Sequence, residues 1–154
     1  MPLIVNGWVL LYHPAFGNRY AGLRDETRRL KSRLPDDQYR THPLVKLTAS
    51  VRRLVLEIVP LNPNSEEFHL HGDLAAFRRA KGHGLPPRYR LFWVFSSQIH
   101  TIIFLYLNDD ATLRKEGADT DPYAVFRQMI DRGAVGDDFD ANLERWKQAR
   151  NDTD

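Results

Sequence analysis

The chain contains no cysteine. Disulfide scaffolds, thiolate zinc sites and cysteine nucleophiles are excluded together, and a reducing cytoplasm is the expected compartment. Long apolar runs are missing too. The longest spans Ile102 to Leu107, far short of the roughly 18 residues that a membrane span needs, so no membrane association is expected. The segment Leu3 to Leu11 is apolar but broken by Asn6 and Gly7. It has neither a basic leader nor a small-residue cleavage site and does not read as a signal peptide. Internal repeats and low-complexity linkers are also lacking. What remains is 154 residues, 42% hydrophobic and 27% charged, with 3 Trp, 8 Phe and 6 Tyr. That is one domain's length with enough large apolar area for a real core.

The formal net charge is only +2, but the charges are segregated. Residues 19–53 hold ten Lys/Arg against four acids. Residues 54–76 hold four acids and no Lys or Arg. Residues 77–90 hold Arg78, Arg79, Lys81, Arg88 and Arg90 and no acid at all. Two concentrated basic blocks create a strong local field despite the small total, which points to a polyanion on one face. A set of solvated surface arginines is the competing reading.

Trp8 to Tyr12 reads as a first strand, stopped at Pro14. Tyr20, Leu23, Thr27, Leu30 and Leu34 repeat at helical spacing, and Pro35-Asp36-Asp37 ends that helix. A second helix opens at Pro43, carries its apolar stripe through Ile58 and stops at Pro60. The two helices are expected to pair antiparallel. Asn62 to Ser65 is a turn, and Glu66 to Leu74 a polar loop. Phe77–Lys81, Tyr89–Phe95 and Thr101–Leu107 then read as three strands, with Ser96-Ser97-Gln98 as a tight hairpin turn. The third strand is apolar at nearly every position, so it belongs in the middle of the sheet. Asp121-Pro122 is an N-cap followed by a first-turn proline, and Gly133 ends that helix. A polar last helix, Asp140 to Arg150, is expected to be peripheral and to fray within the segment 138–154. The fold class is α+β: a small antiparallel sheet with an N-terminal helix pair on one face, followed by C-terminal helices.

Side chains alternate along a strand, so Arg79 and Lys81 share a face, as do Arg88 and Arg90 on the next strand. Pairing Lys81 opposite Arg88 sets Arg79 opposite Arg90. Four cations facing one another weaken a sheet, so the cluster is better explained by an anionic ligand. Phe77 and Phe92 would sit on the same face, either as core packing or as stacking platforms for the bases of a single strand. His69-x-His71-x-Asp73 and the acids from Asp109 to Asp121 offer weak metal-site patterns, better read as a polar loop, caps and solvated turns, and no cofactor or metal is assigned.

Several blocks, in one order, resemble the YhaV toxins of bacterial toxin–antitoxin pairs. They are Val5-Asn6-Gly7-Trp8, His13-Pro14 with Phe16, Asn62-Pro63-x-Ser65, Phe68 with His71-Gly72, Arg79-x-Lys81, and Arg88-Tyr89-Arg90-Leu91-Phe92. The strongest match follows: Asn108-Asp109, Thr112-Leu113-Arg114, Gly117, Thr120-Asp121-x-Tyr123-x-Val125-Phe126 and Arg132-Gly133. The resemblance covers about residues 5 to 135. It implies a RelE-like fold, a ribosome-dependent messenger-RNA endonuclease, and neutralisation by an AbrB-like antitoxin of the PrlF type. It assigns phosphate stabilisation to Arg90, with Arg79 and Lys81 as the preceding basic pair. Arg114 and Tyr123 fall where RelE-like toxins carry a basic residue and a tyrosine.

The chemistry suits these residues. RNA carries its own nucleophile, the 2′-hydroxyl, so metal-independent cleavage needs positioning and charge stabilisation rather than a nucleophilic side chain. The expected catalytic set is Arg79, Lys81, Arg90 and Tyr123. Arg78, His83, Arg88, Arg114 and Phe92 are the expected RNA contacts, with Tyr123 or His83 as proton donor. The alternatives are a noncatalytic RNA- or ribosome-binding module that uses the same cations, and a metal-dependent nuclease.

Overall fold

A computed structural model describes the backbone of residues 2–153 and the side chains of residues 2–150. Five strands form one sheet: β1 (Leu3–Val5), β2 (Trp8–Tyr12), β3 (Arg78–Ala80), β4 (Leu91–Ser96) and β5 (Thr101–Leu107), in the spatial order β1-β2-β5-β4-β3. The apolar strand β5 takes the centre, as its composition requires. The α+β class holds, but the sheet is not wholly antiparallel: β2 pairs with β5 in parallel, Val9 beside Thr101 through Tyr12 beside Phe104. The short strand β1, absent from the sequence reading, folds back on β2 through the turn at Asn6-Gly7, where both residues have positive φ.

Helices cover both faces. On one side α1 (Pro14–Arg33) and α3 (Pro43–Arg53) bury Phe16, Tyr20, Leu23, Leu47 and Val51 against Leu10, Leu91, Trp93, Ile102 and Phe104. On the other, Leu11, Phe92, Val94, Ile103 and Leu105 pack under α5 (Pro122–Asp131), through Phe126 and Met129, with α6 (Phe139–Thr153) adding Leu143 and Trp146. The alternation of Ile102, Ile103, Phe104 and Leu105 between the two clusters is the strand period made visible. Asp154, at the end of the segment expected to fray, lies outside the described residues.

The first long helix ends before Pro35, as expected, and a short helix, α2 (Asp36–Thr41), follows at once; its first turn carries Asp36 and Asp37, where acids complement the unpaired N–H groups of a helix start. Pro60 does not stop the second helix. The chain continues from α3 through a π-helical turn (Leu54–Ile58) into α4 (Val59–Leu61). In that turn Val59 N–H reaches back to the Leu54 carbonyl. The wider turn accommodates a residue that lacks an N–H and would clash within a regular α-helix.

His13 caps α1. Its Nδ1 accepts from Ala15 N–H at 3.0 Å while Nε2 donates to the Ala134 carbonyl at 2.8 Å. Burial lowers its pKa below the ordinary 6.5. A base whose folded-state pKa is depressed stabilises the fold above its unfolded value, and that stability is lost as pH falls from about 6.5 toward the folded-state value. Thermal unfolding across pH 7.5 to 5 should show a fall in midpoint beginning near pH 6.5, and His13→Asn should remove most of that slope.

Candidate anion-binding site on the basic strands

The site lies where β4 begins. The observed register sets Arg79 opposite Phe92 and Ala80 opposite Leu91. This is displaced by two residues from the expected pairing of Arg79 with Arg90. One step beyond the last pair, Lys81 comes opposite Arg90. A two-residue displacement preserves side-chain parity, so Arg79, Lys81 and Arg90 still belong to one face, the face toward α5.

Arg90 is 8% exposed. Its Nη1 donates to the carbonyls of Pro87 and Tyr89, both at 2.8 Å, and its Nε donates to the Tyr123 hydroxyl at 3.2 Å. All three partners are neutral oxygens. Among the described residues, Arg79, Lys81, Arg88 and Arg90 form no ion pair with a carboxylate. Arg79 is half-buried, and its Nε is buried without a hydrogen-bond partner. A buried guanidinium without a counter-charge is costly, so the arrangement favours an incoming anion.

Tyr123, in the first turn of α5, is fixed on both sides. Phe92 meets its ring edge-to-face at 5.5 Å, and the Arg114 guanidinium lies 4.9 Å over it. Arg114 is ion-paired with Asp121 at 2.7 Å, and the Asp121 bond is the main cause raising its pKa. Asp121, 3% exposed, also accepts from Lys115 N–H and from Tyr123 N–H, so one carboxylate caps α5 and pins the Arg114 loop. A groove of about 560 Å³ opens beside this group, lined by Arg114, Asp121, Tyr123, Ala124 and Arg127 among others.

Three expected RNA contacts are placed elsewhere or committed internally. Phe92 is fully buried, stacked on Phe126 at 4.4 Å and on Tyr106 at 6.0 Å, so it is a core residue with no face free for a base. Arg78 pairs with Trp93 and therefore points to the opposite face. There its guanidinium binds Asn64 Oδ1 and the carbonyls of Ala75 and Phe77, and burial lowers its pKa. His83 sits at positive φ and contacts Glu67 Oε1 at 2.5 Å and the Phe68 ring, on the α1/α3 side. Arg88 is exposed, with Nε bonded to the Arg114 carbonyl at 3.1 Å. Lys81 is exposed.

The loop between Lys81 and Arg88 is anchored on α3. Ser50 Oγ donates to the Gly84 carbonyl at 2.8 Å, and Leu85 is buried. A Cβ on Gly84 would stand 2.7 Å from Ser50 Oγ, and its φ is +89°, so only glycine fits both the conformation and the approach. On the far face Tyr89 bonds Asp110, and burial together with that bond pushes its phenol up to about 12. Tyr89 therefore supports the loop as a neutral hydroxyl. His69 bonds Asn64, and among the described residues no three His, Asp or Glu side chains converge as metal ligands.

This sheet face, whose Arg79, Lys81 and Arg90 form no ion pair among the described residues and whose Arg90 meets the Tyr123 hydroxyl, is the candidate site for a strong anion. Residues 10–147 match the family of YhaV toxins, described as toxins with endonuclease activity of a toxin–antitoxin system. Toxin YhaV of Escherichia coli O6:H1 is 36% identical over 155 residues, covering 96% of this chain and 97% of that protein. Ribonuclease toxin YhaV of Escherichia coli K12 is 37% identical over 139 residues, covering 86% and 87%. The solved RelBE2 toxin–antitoxin complex of Mycobacterium tuberculosis superposes with a TM-score of 0.41 at 15% identity, over 72% of this chain and 99% of that chain. The chain belongs to the YhaV toxin family: it is an endonuclease toxin, and its partner is an antitoxin.

Replacing Asp121 removes a cap and leaves Arg114 without its carboxylate. Asp121→Ala should lower unfolding stability by about 2–3 kcal/mol, measured by chemical denaturation. It should also detach Arg114 from Tyr123, read as a change in tyrosine near-ultraviolet circular dichroism.

Proposed function

We propose that this face binds one ribose–phosphate linkage of messenger RNA engaged on the ribosome and cleaves it without a metal. The observation that carries the reading is the Arg90 guanidinium, almost wholly buried yet held only by neutral oxygens. Among the described residues no carboxylate pairs with it, and its direction is set by those oxygens before substrate arrives. Arg79 and Arg90 hold the nonbridging oxygens, for which a planar guanidinium fork is suited. Lys81, exposed at the rim, meets the negative charge that develops on the phosphoryl oxygens.

The 2′-hydroxyl attacks in line. The bond from O2′ to phosphorus forms, the bond to O5′ breaks, and the 2′-hydroxyl proton passes to water. Tyr123 accepts from Arg90 Nε, so its own O–H is free to donate to the departing 5′-oxygen. The products are a 2′,3′-cyclic phosphate and a 5′-hydroxyl. Arg88, exposed, flanks the linkage and contacts a neighbouring phosphate, while Arg114, its charge met by Asp121, lines the groove beside Tyr123. An AbrB-like antitoxin of the PrlF type is the proposed neutralising partner, and the cytoplasm, where messenger RNA is translated, the proposed compartment.

Arg79→Ala and Arg90→Ala should each lower RNA cleavage by about 10²–10³-fold and abolish growth arrest, with the fold retained by circular dichroism. Undiminished cleavage in both would overturn the assignment. Intact messages in cells arrested by the wild-type toxin would instead favour a noncatalytic binder. Cleavage of messenger RNA should survive EDTA in an assay whose ribosomes are stabilised independently of the chelated metal, and end-labelling of the fragments should give 5′-hydroxyls. Loss of cleavage in EDTA, or 5′-phosphate ends, would contradict the mechanism.

A further inference from the structure

Asn108 is fully buried just past the end of β5, one step beyond the Leu91–Leu107 pair and so opposite Arg90. A regular antiparallel ladder would have Arg90 and Asn108 exchange two backbone hydrogen bonds. Only one is present, from Asn108 N–H to the Arg90 carbonyl at 3.4 Å. The other is replaced by a side chain: Arg90 N–H donates to Asn108 Oδ1 at 2.7 Å. The same carboxamide donates through Nδ2 to the Arg88 carbonyl at 3.0 Å and to the Thr112 carbonyl at 2.8 Å. The Asn108 carbonyl, released from the ladder, accepts from Arg19 Nη2.

One amide thus binds the chain on both sides of Tyr89. With the Arg88 carbonyl and Arg90 N–H held toward β5, the Tyr89 carbonyl between them faces away, and there it accepts from Arg90 Nη1 at 2.8 Å. The carboxamide that fixes the backbone therefore also fixes an oxygen that aims the guanidinium. Through Thr112 the clamp also ties this segment to the loop that carries Arg114, whose N–H donates to the Arg88 carbonyl at 2.9 Å. A β-bulge across from Phe92/Trp93 sets this end of the sheet in register, and bulges commonly re-aim side chains next to active sites. We infer that Asn108 is a positioning residue for RNA cleavage: it orients the Arg90 guanidinium toward the scissile phosphate while touching no substrate itself. This inference rests on the assignment of Arg90 to the reacting phosphate.

The test measures single-turnover cleavage rate, half-saturating RNA concentration and thermal midpoint for the wild type, Asn108→Ala, Asn108→Asp and Arg90→Ala. Exchange of the Arg90 Nε proton and of the Asn108 carboxamide protons is followed by nuclear magnetic resonance. Folded Asn108 variants should lose about 10- to 100-fold in rate with half-saturation within about twofold, and should exchange the Arg90 Nε proton faster while the Trp93 indole N–H, bonded to the Pro63 carbonyl, stays protected. A purely structural role would lower the thermal midpoint without changing the rate per folded molecule or the Arg90 signal. Wild-type rate in a folded Asn108 variant, with Arg90→Ala inactive, overturns this inference alone. Wild-type rate in Arg90→Ala overturns the site assignment instead. If neither Asn108 variant folds, the wild-type carboxamide decides: both protons should exchange slowly, and rapid exchange overturns the clamp.

Discussion

An arginine held by neutral oxygens is the constraint on which this structure turns. A carboxylate partner would satisfy the Arg90 guanidinium at the expense of its outward field, as Asp121 does for Arg114. Pro87, Tyr89 and Tyr123 supply geometry without charge. The cost of burying such a cation is met locally by its hydrogen bonds and by two apolar cores, one on each face of the sheet, that make the position rigid. The surroundings serve the same end: Asp121 starts α5 so that Tyr123 stands over β4, and Ser50 and Gly84 hold the loop before Arg88.

The division of cations between the faces separates the proposed site from the scaffold. Arg79 and Arg90 face α5 and form no ion pair among the described residues, whereas Arg78, beside Arg79, faces the other way and is absorbed by Asn64 and two carbonyls. Strand alternation alone makes the difference. The aromatic side chains divide likewise: Phe92 and Phe126 build the floor, and Tyr123, edge-on to Phe92, brings a hydroxyl to Arg90.

Much of this was legible in the sequence, and the failures have physical reasons. Both long helices were visible because their apolar stripes repeat at helical spacing, and β5 was placed centrally because nearly every residue is apolar. The basic pairing was wrong by two residues, yet the shared face survived because only an odd slip turns a strand over. The parallel pairing of β2 with β5 joins residues some ninety positions apart and leaves no local signal. Pro60 was read as a stop because a π-helical turn is set by packing, not by composition. Asn108 stood out only as part of a family block. A buried amide replacing a ladder bond follows no periodicity, and its role becomes visible only when Arg90 and Thr112 are brought beside it.

The most direct test is a crystal structure of this protein with an RNA made uncleavable by a 2′-deoxy substitution at the cut site. Both nonbridging oxygens of the scissile phosphate should lie within hydrogen-bond distance of the Arg79 and Arg90 guanidiniums, with the Tyr123 hydroxyl near the 5′-oxygen. A phosphate bound instead along the basic helices α1 and α3, with Arg79 and Arg90 unoccupied, would contradict the account.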